Sequence, residues 1–308
     1  MSEKKGTINL GLCCINTQLR KKGIFNSRNV IRRTFSIDRA KKLALENIKD
    51  LIPMIEYNNK NNIKCFRWSS EFFPHFTDSE LEKYTIDFAS EELKKAGDLA
   101  NKYGQRIVMH PGQYNQVGAN KISVFEKTNE DLTHHANILD KAGINENGVI
   151  IVHGGGVYGD KENTKRRWID QFDDLSRSVK NRLVIENCEH SYSVRDVLDL
   201  SQECKIPVVY DCHHYRCYCV LHEEETIEKP REFMEEIVES WKHRKMLCHV
   251  SSQGDGKIGH HADYIKNIPK HIFKIHEKFN VDIDLEVEAK MKEQAIFDLV
   301  KKYPEYFS

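Results

Sequence analysis

Six ionisable residues, His110, His153, Glu186, Asp211, His249 and Glu288, each close a short apolar run. Two more histidines follow close behind: His214, three residues past Asp211, and His261, in the loop after His249. Alone, each has an ordinary explanation. A histidine bonds a backbone carbonyl, and a carboxylate caps a helix or joins an ion pair. Brought to one rim, three carboxylates and five histidines cannot stay desolvated and unpaired, because repulsion and burial both act against them. Divalent cations relieve both, and mixed imidazole and carboxylate donors suit Mn, Zn, Fe or Co better than Ca or Mg. Eight donors exceed what one tetrahedral site takes, so two or three divalent metal ions are expected, with manganese, zinc, iron and cobalt all open on the donor types.

What would bring them together is a repeating unit. The runs Ile8–Cys14, Ile63–Trp68, Arg106–Met109, Val149–Val152, Arg182–Ile185, Pro207–Tyr210, Met246–Val250 and Asp282–Val287 read as strands buried on both faces. Helical patterns lie between or after them, over Ile37–Tyr57, Leu81–Lys102, Ser123–Ala142, Arg166–Lys180, Ser193–Glu203, Pro230–His243, Ala262–Lys278 and Lys292–Tyr303. Caps are expected at Ser36, at Ser193 and within Thr77–Glu80. Strand–helix alternation repeated eight times predicts a single (β/α)8 TIM barrel over residues 1–308, with the ionisable residues gathered at the carboxyl ends of its strands. A doubly wound open sheet competes, but no glycine fingerprint follows the first strand.

Composition limits the rest. The chain has 308 residues, and its 47 Lys+Arg balance 47 Asp+Glu. With 39% hydrophobic and 31% charged residues it reads as globular, not disordered or fibrous. A neutral total excludes bulk electrostatic attachment to nucleic acid or lipid and leaves room for a local basic groove. No apolar run reaches the ~18 residues that span a bilayer, so no membrane association is expected. MSEKKGTINL lacks the apolar stretch of a secretory signal. The nine cysteines then read as reduced thiols in a cytoplasmic or nuclear protein that is not secreted. No oligomerisation device is visible, and a monomer is the expectation.

Three further features suit an anionic substrate. HPGQY (110–114) puts an amide and an aromatic just beyond a candidate ligand. HGGGVYGDK (153–161) is a glycine loop whose N–H groups could approach a phosphate, or simply a tight turn needing positive φ. Arg67, Arg166 and Arg167 offer local positive charge.

The motifs MHPGQY (109–114), VHGGGVYGDK (152–161), IEN (185–187), PVVYDCHH (207–214), HVSSQ (249–253) and VEAKMKEQA (287–295) together resemble the UV damage endonuclease family, which is related to endonuclease IV. The similarity runs from LGLCCIN (10–16) to VEAK, nearly the whole chain. It implies a metal-dependent DNA repair endonuclease that nicks 5′ to UV photoproducts in double-stranded DNA, leaving a 3′-hydroxyl and a 5′-phosphate. By the same resemblance His110, His153 and Glu186 hold a first metal, and Glu186 bridges to a second held by Asp211, His249 and Glu288. His214 and His261 hold a third. Glu186, His110, Asp211 and Glu288 are the implied catalytic set. Asn16, Arg67, Gln113, Tyr114 and Lys290 are the implied DNA contacts, with Gln113 and Tyr114 inserted at the lesion. Two positions depart from the family pattern: Leu12 stands where it has a tyrosine, and Leu247 where it has a lysine, with Lys245 two positions earlier. His213 beside His214, and His260 beside His261, leave a one-residue choice of ligand. The alternatives are an abasic-site endonuclease of the endonuclease IV type and, more distantly, a sugar isomerase-like barrel. A non-catalytic metal or damaged-DNA binding protein is a further one.

Overall fold

A computed structural model describes residues 6–307. Its strands are β1 (Ile8–Cys13), β2 (Cys65–Trp68), β3 (Arg106–Met109), β4 (Ile150–His153), β5 (Leu183–Glu186), β6 (Val208–Asp211), β7 (Met246–Val250) and β8 (Ile283–Val287). They pair in sequence order, all parallel, and β1 closes on β8. That closure excludes the open sheet. Helices lie between successive strands, which is the TIM-barrel arrangement the alternation predicts. Residues facing outward from the strands, such as Leu12, Phe66, Trp68, Met109 and Tyr210, are fully buried under that ring of helices.

Helix boundaries differ from expectation in places with identifiable causes. Ile37–Tyr57 is two helices, Ile37–Lys49 and Leu51–Lys60, the first capped by Ser36. The Leu81–Lys102 helix begins only at Ser90. The Thr77–Glu80 tract caps nothing, since no α-helix follows it before Ser90; Asp78 accepts from the Glu80 N–H and pairs with Arg32 at 2.6 Å. Ala262–Lys278 becomes Lys270–Phe279, since the backbone at Ala262 and Asp263 accepts from Lys290 and Met291 instead of starting a helix. Ser193 and Asp196 form a full capping box. The helix Cys212–Leu221 was not expected; Asp211 caps it, accepting from the His213 and His214 N–H groups.

Parallel register carries side-chain parity from strand to strand. Pairing of Cys13 with Arg67, Arg67 with Val108, Ile151 with Val184, Glu186 with Val209, Asp211 with His249 and His249 with Glu286 puts one set of residues inside the barrel. That interior combines branched apolar side chains, Val108, Ile151, Val184 and Val209, with charged ones. On β8 it presents Asp284, Glu286 and Glu288 at successive inward positions, all buried. At the amino end Asp284 is held by Lys245 at 2.6 Å, Arg106 at 3.2 Å and Asn9 at 3.2 Å. Lys245 therefore belongs to the barrel floor, not to the ligand rim.

Arg106 is itself buried and also donates to the Asn147 and Met246 carbonyls. Arg106→Met should lower unfolding stability by about 3–5 kcal/mol in urea titration, the typical consequence of breaking a buried ion pair. A loss below about 1 kcal/mol would mean Lys245 alone balances Asp284.

Candidate metal centre

Glu186 ends β5, fully buried, and its two oxygens face different ways. Oε2 lies 3.0 Å from His110 Nε2 and 3.7 Å from His153 Nε2. Oε1 lies 3.0 Å from His249 Nδ1 and 3.2 Å from His214 Nδ1. Asp211 closes β6 and spends only one oxygen on its helix cap; the other, Oδ2, is buried with no hydrogen-bond partner, 3.8 Å from His214 and 4.0 Å from His249. Glu288 Oε1 lies 3.7 Å from His249 Nδ1. Donor atoms converge in the sets His110–His153–Glu186, Asp211–His249–Glu288, Glu186–Asp211–His214 and His153–Glu189–His214. An orphaned buried carboxylate oxygen inside a mixed imidazole and carboxylate cage is what a divalent cation would satisfy, so the residues fit the expected metals.

The histidine ring nitrogens are sorted for this role. His110 Nδ1 faces the Pro111 carbonyl at 3.2 Å, which leaves Nε2 for the centre. His214 Nδ1 faces both the Asn187 carbonyl at 3.0 Å and Glu186 Oε1 at 3.2 Å, which leaves its Nε2, 3.9 Å from Glu189 Oε2, as the other nitrogen toward the centre. His213 points away, toward Cys217 Sγ at 3.6 Å, and His260 is exposed, so His214 and His261 are the members of each pair that reach the site. His261 approaches Glu288 at 3.6 Å but shares no ligand set with His214 among the described residues. Among the described residues, the converging sets of three donors contain His214 and not His261. His214 sits in the first turn of the helix that Asp211 caps, turned inward to Glu186, while His261 hangs from a loop bridged to Gln253. Glu189, three residues past Glu186, was missed, because it lies in a loop and ends no strand.

A groove of about 650 Å³ opens over the centre and is lined by His110, His153, His214, His261 and Glu288 together with Gln113 and Tyr114. Tyr114 is 66% exposed at its edge. Lys290 is exposed as well. Two expected DNA contacts are not at the surface. Asn16 is buried and caps the Thr17–Arg20 helix. Arg67 is buried inside the barrel, paired with Glu286 and Glu288, because strand parity turns it inward. In the glycine loop Gly155 has φ 93°, and the Gly156 N–H donates to Gln116, which supports the tight-turn reading over an open phosphate cradle.

The profile of the UV-endonuclease UvdE family matches residues 8–308. The chain belongs to that family. A putative UV-damage endonuclease of Acanthamoeba polyphaga mimivirus is 34% identical over 96% of this chain and 91% of its own length. The UV-damage endonuclease of Schizosaccharomyces pombe is 35% identical over 96% of this chain, which spans only 50% of that protein. The crystal structure of SacUVDE superposes with a TM-score of 0.83 at 29% identity, covering 97% of this chain and 98% of that one. Among the described residues no helix is long and apolar enough to cross a membrane.

Protons occupy part of this UV-endonuclease site when metal is absent. Burial opposes charging of His249, but Glu186 beside it, with hydrogen bonds to Glu186 and Glu286, pushes it up to about 10. His214 is raised too, burial being outweighed by Asp211 and Glu186. Burial lowers His153 to about 4, which leaves it neutral. A raised histidine stabilises the fold fully below its ordinary value of 6.5 and loses that contribution as pH climbs through about 10. Chelator-treated protein should therefore lose Tm steadily across that interval, while Mn²⁺-loaded protein, with metal in place of the protons, should not. Parallel calorimetric profiles would contradict the assignment.

Proposed function

We propose that this chain is a metal-dependent DNA repair endonuclease that hydrolyses the phosphodiester 5′ to a UV photoproduct, leaving a 3′-hydroxyl and a 5′-phosphate. One observation carries the reading: Glu186 faces a different ligand set with each oxygen, at the base of a groove that also holds Gln113 and Tyr114. Family membership supports the substrate class.

Divalent cations, two or three of them and manganese by preference, supply Lewis acidity toward a phosphodiester and neutralise charge building on its oxygens. The protein's part is to hold the donors. Glu186 ties His110 and His153 to His249 and His214. Asp211 keeps one oxygen free by spending the other on helix N–H groups. Glu189 gives His153 and His214 a further carboxylate neighbour. Tyr114 and Gln113 stand at the groove's edge, where they would fill the gap left by unstacked bases, and Lys290 would meet the backbone as a cation. A lesion with weakened stacking is the easiest duplex to open, so selectivity comes from deformability.

With Mn²⁺, the protein should nick UV-irradiated supercoiled plasmid well above intact plasmid, and chelator should abolish the reaction. Nicking of abasic plasmid alone would move the assignment to the abasic-site class. Glu186→Gln should lower the nicking rate by more than about 100-fold, the outer bound for losing a merely supporting contact at a metal site. Tyr114→Ala should weaken binding to irradiated duplex by about 1–3 kcal/mol, the range for one lost base stack, with metal content unchanged. Loss of metal in that variant would make Tyr114 structural.

A further inference from the structure

Below the ligand rim lies a second layer. Glu286 is fully buried, two residues before Glu288 and on the same face of β8. Its Oε2 accepts from Arg67 Nε at 3.1 Å and Nη2 at 2.7 Å, and lies 3.0 Å from His249 Nε2. The other arm of the same guanidinium, Nη1, reaches Glu288 Oε1 at 2.6 Å. His249 thus has a carboxylate at each ring nitrogen, Glu186 at Nδ1 and Glu286 at Nε2, and Arg67 Nη2 also stands 3.1 Å from Nε2, so the Glu286 carboxylate and the guanidinium compete for that nitrogen. The barrel makes room for this layer with Gly11: a Cβ there would stand 3.0 Å from Cys65 Cβ and 3.1 Å from Glu286 Cγ.

A ligating imidazole is oriented by whatever accepts the proton of its other nitrogen, which fixes both tautomer and ring plane. A planar fork can hold two carboxylates at once, which a lysine ammonium does with far less directionality. We propose that Arg67 and Glu286 are the positioning residues of the Asp211–His249–Glu288 set. Glu286 turns His249 so that Nδ1 faces the centre, and Arg67 fixes Glu286 and Glu288 in register. The pair governs metal affinity at that set and leaves His110–His153–Glu186 untouched. The proposal rests on the reading of the rim as a metal centre.

The pair is net neutral, so deleting both members together leaves the net charge around the centre unchanged; Glu288 loses its 2.6 Å guanidinium partner and keeps His249 and His261 as neighbours. Mn²⁺ titration, with free Mn²⁺ read by electron paramagnetic resonance, would compare the wild type with the Arg67→Met/Glu286→Leu variant. The wild type should bind in at least two classes. In the variant one class should weaken by about 10–100-fold and the other stay within threefold, the range for removing outer partners of metal ligands. Equal weakening of both classes, or none, would overturn the positioning role. A wild type that binds no Mn²⁺ would instead overturn the metal-centre reading, and this proposal with it. A second measurement needs no variant. In Zn²⁺-loaded wild type, ¹H–¹⁵N spectra of the histidine rings should show His249 protonated at Nε2 and bare at Nδ1. The opposite tautomer would refute the arrangement.

Discussion

Burial of carboxylates along the barrel axis is the constraint on which this structure depends. Strand β8 sends Asp284, Glu286 and Glu288 inward in succession, and Glu186 and Asp211 join them at the rim. Each ionised carboxylate taken out of water is costly unless a counter-charge or several donors replace its hydration. The barrel meets this demand in layers. Arg106 and Lys245 balance Asp284 at the floor, and Arg67 balances Glu286 in the middle. At the rim Arg67 has one arm left for Glu288, and only histidines face Glu186 and Asp211. The floor and middle are closed with protein cations; the rim is left with more anionic donors than fixed cations. That imbalance draws in protons or metals, and it puts the reactive chemistry at the carboxyl mouth rather than deeper in the barrel.

The candidate ligands of the rim are held by partners that belong to the scaffold: Pro111 and Asn187 carbonyls on His110 and His214, helix N–H groups on Asp211, and Glu286 on His249. None of these partners sits in a mobile side chain at the surface. Gln113 and Tyr114, the proposed lesion contacts, lie instead in the exposed loop after β3, where adjustment to a distorted duplex would require less disruption of packed structure.

The strand-end residues were legible because a barrel converts sequence order into a ring, so the residue closing each apolar run needs no further information to be placed. His110, His153, Glu186, Asp211, His249 and Glu288 all followed that rule. His214 was chosen over His213 through the family resemblance; the physical reason, the helix that Asp211 caps, was not legible, because its cysteine- and histidine-rich sequence shows little apolar periodicity. Glu189 escaped because a loop, not a strand, delivers it. Arg67 was read as a surface cation because its type suggested DNA, whereas strand parity fixes it inside. The alternation in DIDLEVE (282–288) carried that information, with acidic residues at every second position, and its inward acids have to find cations.

Anomalous diffraction at the manganese edge, from crystals grown with Mn²⁺, would locate the proposed metal centre bridged by Glu186. At least two peaks are expected at the barrel mouth, one among His110, His153 and Glu186 and one among Glu186, Asp211, His249 and Glu288. A mouth without anomalous density, or peaks confined to surface carboxylates elsewhere, would contradict it.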